Sequence, residues 1–130
     1  MPVSSPEETP DISLAVIAQV LYLVNLLLLP GLAFLILLLL YFKKRQATDD
    51  LSRFHMRQAI SASLWAGILL VVCNAVILLT GGYDGPWTWV ILITYFTMAH
   101  STLILLGTIA LIKAMAGQYW RYPLIGALLE

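Results

Sequence analysis

Charge and sulfur are what this sequence is short of. Seven Lys and Arg and seven Asp and Glu make up 11% of 130 residues, against 61% apolar residues, well under half the charged share of an ordinary soluble domain. The single cysteine, Cys73, excludes an intramolecular disulfide and any multi-cysteine metal site. The two histidines, His55 and His100, match no metal-ligand spacing. Cations are too few and too close to apolar blocks for a nucleic-acid partner. The long apolar runs contain no Asp or Glu, which a proton-coupled carrier ordinarily needs. No base, nucleophile and electrophile converge, so the chain is not expected to be an enzyme, and no cofactor or metal is expected. Residues 1–10 carry Glu7 and Glu8 but no Lys or Arg, so the positive region of a cleavable signal peptide is missing.

What the chain does have is hydrocarbon-seeking sequence, interrupted in a few places. Residues 1–10 read as a disordered tail, with Thr9 or Asp11 available to cap the following helix and Pro10 suited to its first turn. Residues 12–42 then run without a formal charge. One helix of that length would measure about 46 Å, against about 30 Å of hydrocarbon. Pro30-Gly31 sits near the middle, where proline removes a donor and glycine relaxes the backbone. Two arrangements satisfy this: one kinked helix, or a tight hairpin of halves about 26 Å and 20 Å long, both short for a full span.

The basic stretch 43–57 follows and holds five of the seven cations. Lys43, Lys44 and Arg45 form a stop; residues 51–57 suit an amphipathic turn on the membrane surface, capped by Ser52 or Asp50, or a plain connector. Residues 58–80 are expected to span. Ala59, Ser63, Gly67 and Asn74 share one helical face there, a narrow surface for helix approach. After the turn 81–86, Trp87 and Trp89 open a span over 87–114, at the depth aromatic residues favour. Thr97, His100, Ser101, Gly107 and Thr108 share a face of that span and are expected to look inward. Residues 116–130 form an interfacial segment, with a break at Gly117 and anchors Tyr119, Trp120 and Tyr122.

Counting cations puts the basic stretch, Lys113 and Arg121 on the cytoplasmic side and the 81–86 turn, with Asp84 alone, outside. Lys43, Lys44, Arg45, Arg53, His55, Arg57, Lys113 and Arg121 are candidate contacts to anionic headgroups or partner subunits. Ser63, Asn74, Thr97, His100 and Ser101 are candidate polar links between helices. A histidine within a span is a candidate ligand for haem or pigment, or a neutral imidazole bonded across the bundle. The expected function is a small accessory, structural or assembly subunit, self-associating or bound to other membrane subunits. A pore or transport component lined by Thr94, Thr97, His100 and Ser101 is the alternative, and a His100-ligated cofactor subunit the third reading.

Three stretches occur in a recognisable order: YFKK at 41–44, HMRQAI at 55–60 and AGQYWRYPLIG at 116–126. Over residues 11–126 this resembles a family of small uncharacterised bacterial membrane proteins, distantly related to the twenty-kilodalton subunit of the chloroplast inner-envelope translocon. The likeness rests on Lys43 and Lys44, on His55, Gln58 and Ala59, and on Gly117, Tyr119, Arg121, Tyr122 and Pro123. Ile60-Ser61 departs from the asparagine-phenylalanine usual in that family. The resemblance implies an all-α bundle over residues 11–115 with four transmembrane helices, the first two a short hairpin, three helices being the alternative. It also implies a bacterial inner-membrane location with the N-terminus in the cytoplasm.

Overall fold

The apolar runs fold into helices wherever the backbone permits. The computed structural model describes residues 12–44, 46 and 49–125. They form α1 (Ser13–Leu27), α2 (Leu32–Lys44), α3 (Asp50–Gly81) and α4 (Pro86–Met115). The proposed tail and caps at residues 1–11, Arg45 and residues 126–130 lie outside the described residues.

Pro30-Gly31 breaks the first block completely, giving the hairpin and not the kinked helix. Leu28 and Leu29 both donate to the Val24 carbonyl, at 2.9 and 3.0 Å. Pro30 then has no N–H with which to continue the ladder. Gly31 reverses the chain at φ +85°, a region side chains rarely tolerate. Its N–H donates to Asn25 Oδ1 at 2.8 Å, so Asn25 satisfies a backbone group freed by the break. The hairpin is antiparallel: Gln19 and Tyr41 both reach the first turns of α3, at His55 and Arg57. At the other end, the Leu26 carbonyl accepts from His100, close to the midpoint of α4. With α1 about 22 Å and α2 about 20 Å long, the hairpin ends alongside the middle of the two long helices.

α3 starts earlier than the sequence suggests. Asp49, and not Ser52 or Asp50, is the cap, its Oδ1 accepting from Ser52 N at 3.3 Å. Residues 51–57, expected as an amphipathic surface turn or a plain connector, therefore belong to the first two turns of the long helix. Ile68–Val72 is a π turn, in which one extra residue spoils the regular hydrogen-bond ladder. Two side chains cover its carbonyls: Tyr95 Oη donates to Leu69 O at 2.7 Å, and Asn74 Nδ2 to Leu70 O at 2.5 Å.

Packing divides the molecule into two tiers. In the first, α1 lies against residues 50–67 of α3 and against α4, and α2 lies against α1 and α3. Alanines make this close approach possible: Ala15 and Ala18 on α1 and Ala59, Ala62 and Ala66 on α3 are all at most 2% exposed. In the second tier the Cys73–Gly81 part of α3 meets α4 alone, and no residue of 68–81 is buried. The apolar windows of α3 and α4 are only 17% and 11% buried, far below a soluble core helix. Leu79 is 81% exposed and Leu28 73%; such surface belongs in lipid. The protein is thus embedded in a membrane by two long apolar helices, with α1 a shorter apolar helix beside them.

Gly107 marks a tight crossing of α4 against α1. A Cβ there would stand 2.5 Å from Tyr22 Cε1 and 2.7 Å from Leu23 Cδ2, whereas one at Gly67 meets nothing within 4 Å. Gly107→Ala is expected to destabilise by about 1–3 kcal/mol through overpacking. Gly67→Ala should be neutral or stabilising by up to about 1 kcal/mol from helix propensity. Thermal unfolding of the two variants in one detergent measures the contrast, and equal midpoints would sink it.

Candidate functional site

The buried polar groups converge at the end of the bundle where α3 begins and α4 ends. α4 stops in a Schellman turn: Gly117, at φ +69°, donates to Ala114 O at 3.1 Å and Gln118 N donates to Lys113 O at 2.8 Å. The turn sends residues 118–125 back across the bundle as a strap, and aims the Gln118 carbonyl at His55. His55 is fully buried, and its Nε2 lies 2.8 Å from Gln118 O. A carbonyl only accepts, so Nε2 carries the proton and Nδ1 is the acceptor. Gln19 Nε2 donates to that Nδ1 at 2.9 Å. The Tyr122 hydroxyl donates to Gln19 Oε1 at 2.6 Å. The chain Tyr122–Gln19–His55–Gln118 is therefore a relay of aligned donors linking α1, α3 and the strap.

Two further bonds fasten the strap. Tyr122 N donates to Gln58 Oε1 at 3.0 Å and Ser61 Oγ to Ile125 O at 2.5 Å. These hold the turn at Leu124, whose φ of 62° is unfavourable for a leucine. Tyr22 supports the lock from α1: it packs edge-on to Tyr122 with centroids 5.3 Å apart and donates to Leu103 O at 3.0 Å. Burial, and then the neighbouring Tyr22, push the Tyr122 phenol well above its ordinary pKa, so it stays a neutral donor.

The expected site residues separate into three groups. Lys43, Lys44, Arg57, Tyr119 and Arg121 are exposed and Arg53, Lys113 and Trp120 half-buried, all at the basic end. Arg57 Nε donates to Tyr41 Oη at 3.2 Å, and Lys113 Nζ to Gln118 Oε1 at 3.3 Å. Arg53 pairs with Asp50 at 3.6 Å. His55 and Tyr122, expected at the interface, instead lie fully buried, because their polar atoms find partners inside. The third group was expected to link helices. Of it, among the described residues, only His100 does so, Nε2 to Leu26 O at 3.0 Å, with its ring stacked on Phe96.

Among the described residues, Asn74 bonds within its own helix and its Oδ1 has no partner. Ser63 is buried, likewise without a partner among them. Thr97, Ser101 and Thr108 face outward. Their shared sector with His100 and Gly107 is about 120° wide at 100° per residue. His100 and Gly107 occupy its inner edge and the hydroxyl residues its lipid edge.

Sequence reasoning missed Gln19, Tyr22 and Ser61, and gave Gln58 and Gln118 no bonding role. Gln19 and Tyr22 stand one turn apart in an otherwise apolar helix, and a polar side chain in such a run needs a buried partner. That signal was readable for the pair but did not name the partner.

Among the described residues no three His, Cys, Asp or Glu side chains gather to hold a metal ion. The polar lock is built to hold a chain segment. His55→Leu and Gln19→Leu each strand buried partners, at about 1–3 kcal/mol, and should release the strap. Limited trypsin digestion after Arg121 is expected to accelerate in both variants and stay unchanged in Thr97→Val. Equal cleavage in all three would rule out the lock.

Neither a curated protein nor a solved structure matches this chain. A family match covers residues 11–129 and overturns the resemblance to the translocon-related family. Apolar blocks closed by lysines are demanded of any such protein by the bilayer, so they do not tell families apart. Across nearly its whole length, the chain belongs to the Magnetosome magnetite crystal formation protein family.

Proposed function

We propose that the protein is an accessory component of the bacterial membrane system in which magnetite crystals form. The match over residues 11–129 carries this reading; family membership fits a small non-catalytic membrane protein. The geometry supports it. The buried polar residues of the lock are occupied in fastening the strap, and the hydroxyls expected to line a pore face outward, away from any path through a single chain. The role is then to shape or scaffold, through lipids and neighbouring proteins.

In the proposed topology, the N-terminus, the 44–50 connection and the strap lie on the cytoplasmic side. Lys43, Lys44, Arg53, Arg57, Lys113 and Arg121 gather at that end, whereas the turn 82–85 has only Asp84. This follows the positive-inside bias. The cationic rim meets anionic headgroups or an acidic surface of a partner subunit on the same side. α3 and α4 cross the bilayer. The α1–α2 hairpin enters from the cytoplasmic side and turns back near mid-depth, because its tip sits beside His100. It makes four helices but two complete crossings. Its turn is tolerated at that depth because Asn25 and neighbouring residues satisfy the backbone.

Two experiments test this. Removing the chain from a magnetite-forming host is expected to alter crystal size or shape in electron micrographs while membranes persist; unchanged crystals would count against the role. For topology, single cysteines in a Cys73→Ser background are probed with a membrane-impermeant thiol reagent. Asp84→Cys should react in intact spheroplasts, Gln46→Cys only after lysis, and Leu29→Cys in neither state. Labelling of Leu29→Cys from outside would replace the half-depth hairpin by four complete spans.

A further inference from the structure

A second polar feature lies midway along α4, away from the strap. The α1–α2 turn, residues 63–71 of α3, and Phe96 and His100 of α4 enclose a cavity of about 400 Å³. Its apolar wall includes Pro30, Phe34, Leu64, Leu70, Val71 and Phe96. Leu28, Leu29 and Val71 around it are exposed on the lipid side, so it is reached from the bilayer. No charged side chain lines it, and a charged guest would lose its hydration without compensation.

Three neutral polar residues share that wall. Ser63 is 95% buried, being 5% exposed, and its hydroxyl has no hydrogen-bond partner among the described residues. Thr80, Thr102 and Thr108 each bond back to the carbonyl one turn earlier, the usual resort of a hydroxyl on an apolar helix. Ser63 does not. His100 gives Nε2–H to Leu26 O, which leaves Nδ1 an acceptor without a partner among the described residues. Asn25 uses Oδ1 for Gly31 and keeps its amide donors.

We propose that this cavity binds a neutral, lipid-soluble ring compound bearing hydroxyl or carbonyl oxygens, of the quinone–quinol class. The volume falls in the range of small-molecule sites, which pair apolar walls with a few placed polar groups. Phe34 and Phe96 line the space with aromatic surface for a flat ring, His100 covering one face of Phe96. Ser63 and Asn25 donate to a carbonyl oxygen, and Ser63 and His100 Nδ1 accept from a ring hydroxyl. A saturated acyl chain fills the space but leaves the Ser63 hydroxyl unsatisfied. Binding alone is proposed, with no electron transfer.

The test uses the full chain in nanodiscs of phosphatidylethanolamine and phosphatidylglycerol, titrated with a short-tailed benzoquinone and its hydroquinone by calorimetry. Gly67 lines the cavity, and a Cβ there meets nothing within 4 Å, so Gly67→Leu introduces a side chain without a clash at Cβ and occupies the space. Saturable binding is expected for the native chain, with at least tenfold weaker binding in Ser63→Ala and none in Gly67→Leu. Ser63→Ala removes a hydroxyl that holds nothing else, so it reports even if the larger variant misfolds. Non-saturable partition, equal binding in Ser63→Ala, or equally tight binding of a saturated alkane of matched volume would each overturn the proposal.

Discussion

The structure depends on one constraint: a polar atom removed from water must find its partner within the protein. In hydrocarbon nothing else competes for it. Gln19 shows how this organises the chain. Its amide is the one group in α1 that both donates to α3 and accepts from the strap, so three segments distant in sequence share a single junction. The apolar contacts around it are compatible with many sliding arrangements, since lipid and leucine are equivalent solvents for leucine. The aligned donors and acceptors are compatible with one. Packing brings the helices together and the amide–imidazole–phenol relay selects their register.

The same constraint explains the uneven build. The tier holding α1, α2 and the strap contains the lock and the closely packed alanines. The opposite tier, two helices surrounded by lipid, has few interior contacts. There, backbone irregularity at the π turn is covered locally by Tyr95 and Asn74. Burial is concentrated where the chain reverses and returns.

Much of the architecture was legible because it follows from backbone chemistry. Pro30 and Gly31 mark where the run must kink or break, and the ends of α4 fell within one residue of the apolar segment. The direction in which each face looks was less legible. A polar sector 120° wide is too coarse to tell inside from edge, so Thr97 and Ser101 were placed inward with His100. His55 and Tyr122 read as interfacial because their sequence neighbours, Arg53, Arg57 and Arg121, are basic. Their burial depends on Gln19 and Gln118, 36 and 63 positions from His55, and no local pattern announces a pairing at that range. The family was obscured for a related reason: the bilayer writes similar sequence into unrelated chains.

The π turn has a consequence for how α3 can vary. The wide turn absorbs one extra residue, so the sequence pattern of inward-facing positions shifts by one residue, about 100° of regular helix, from one side of it to the other. The face that residues 73–81 offer to α4 is therefore set out of phase with the face that residues 50–67 offer to α1. A one-residue deletion between 68 and 72 would restore a regular ladder and leave residues 73–81 on the azimuth they hold now, because the wide turn already absorbs the extra residue. The bulge acts as a gearing between the crowded and the sparse half of one rod, letting each keep its own azimuth.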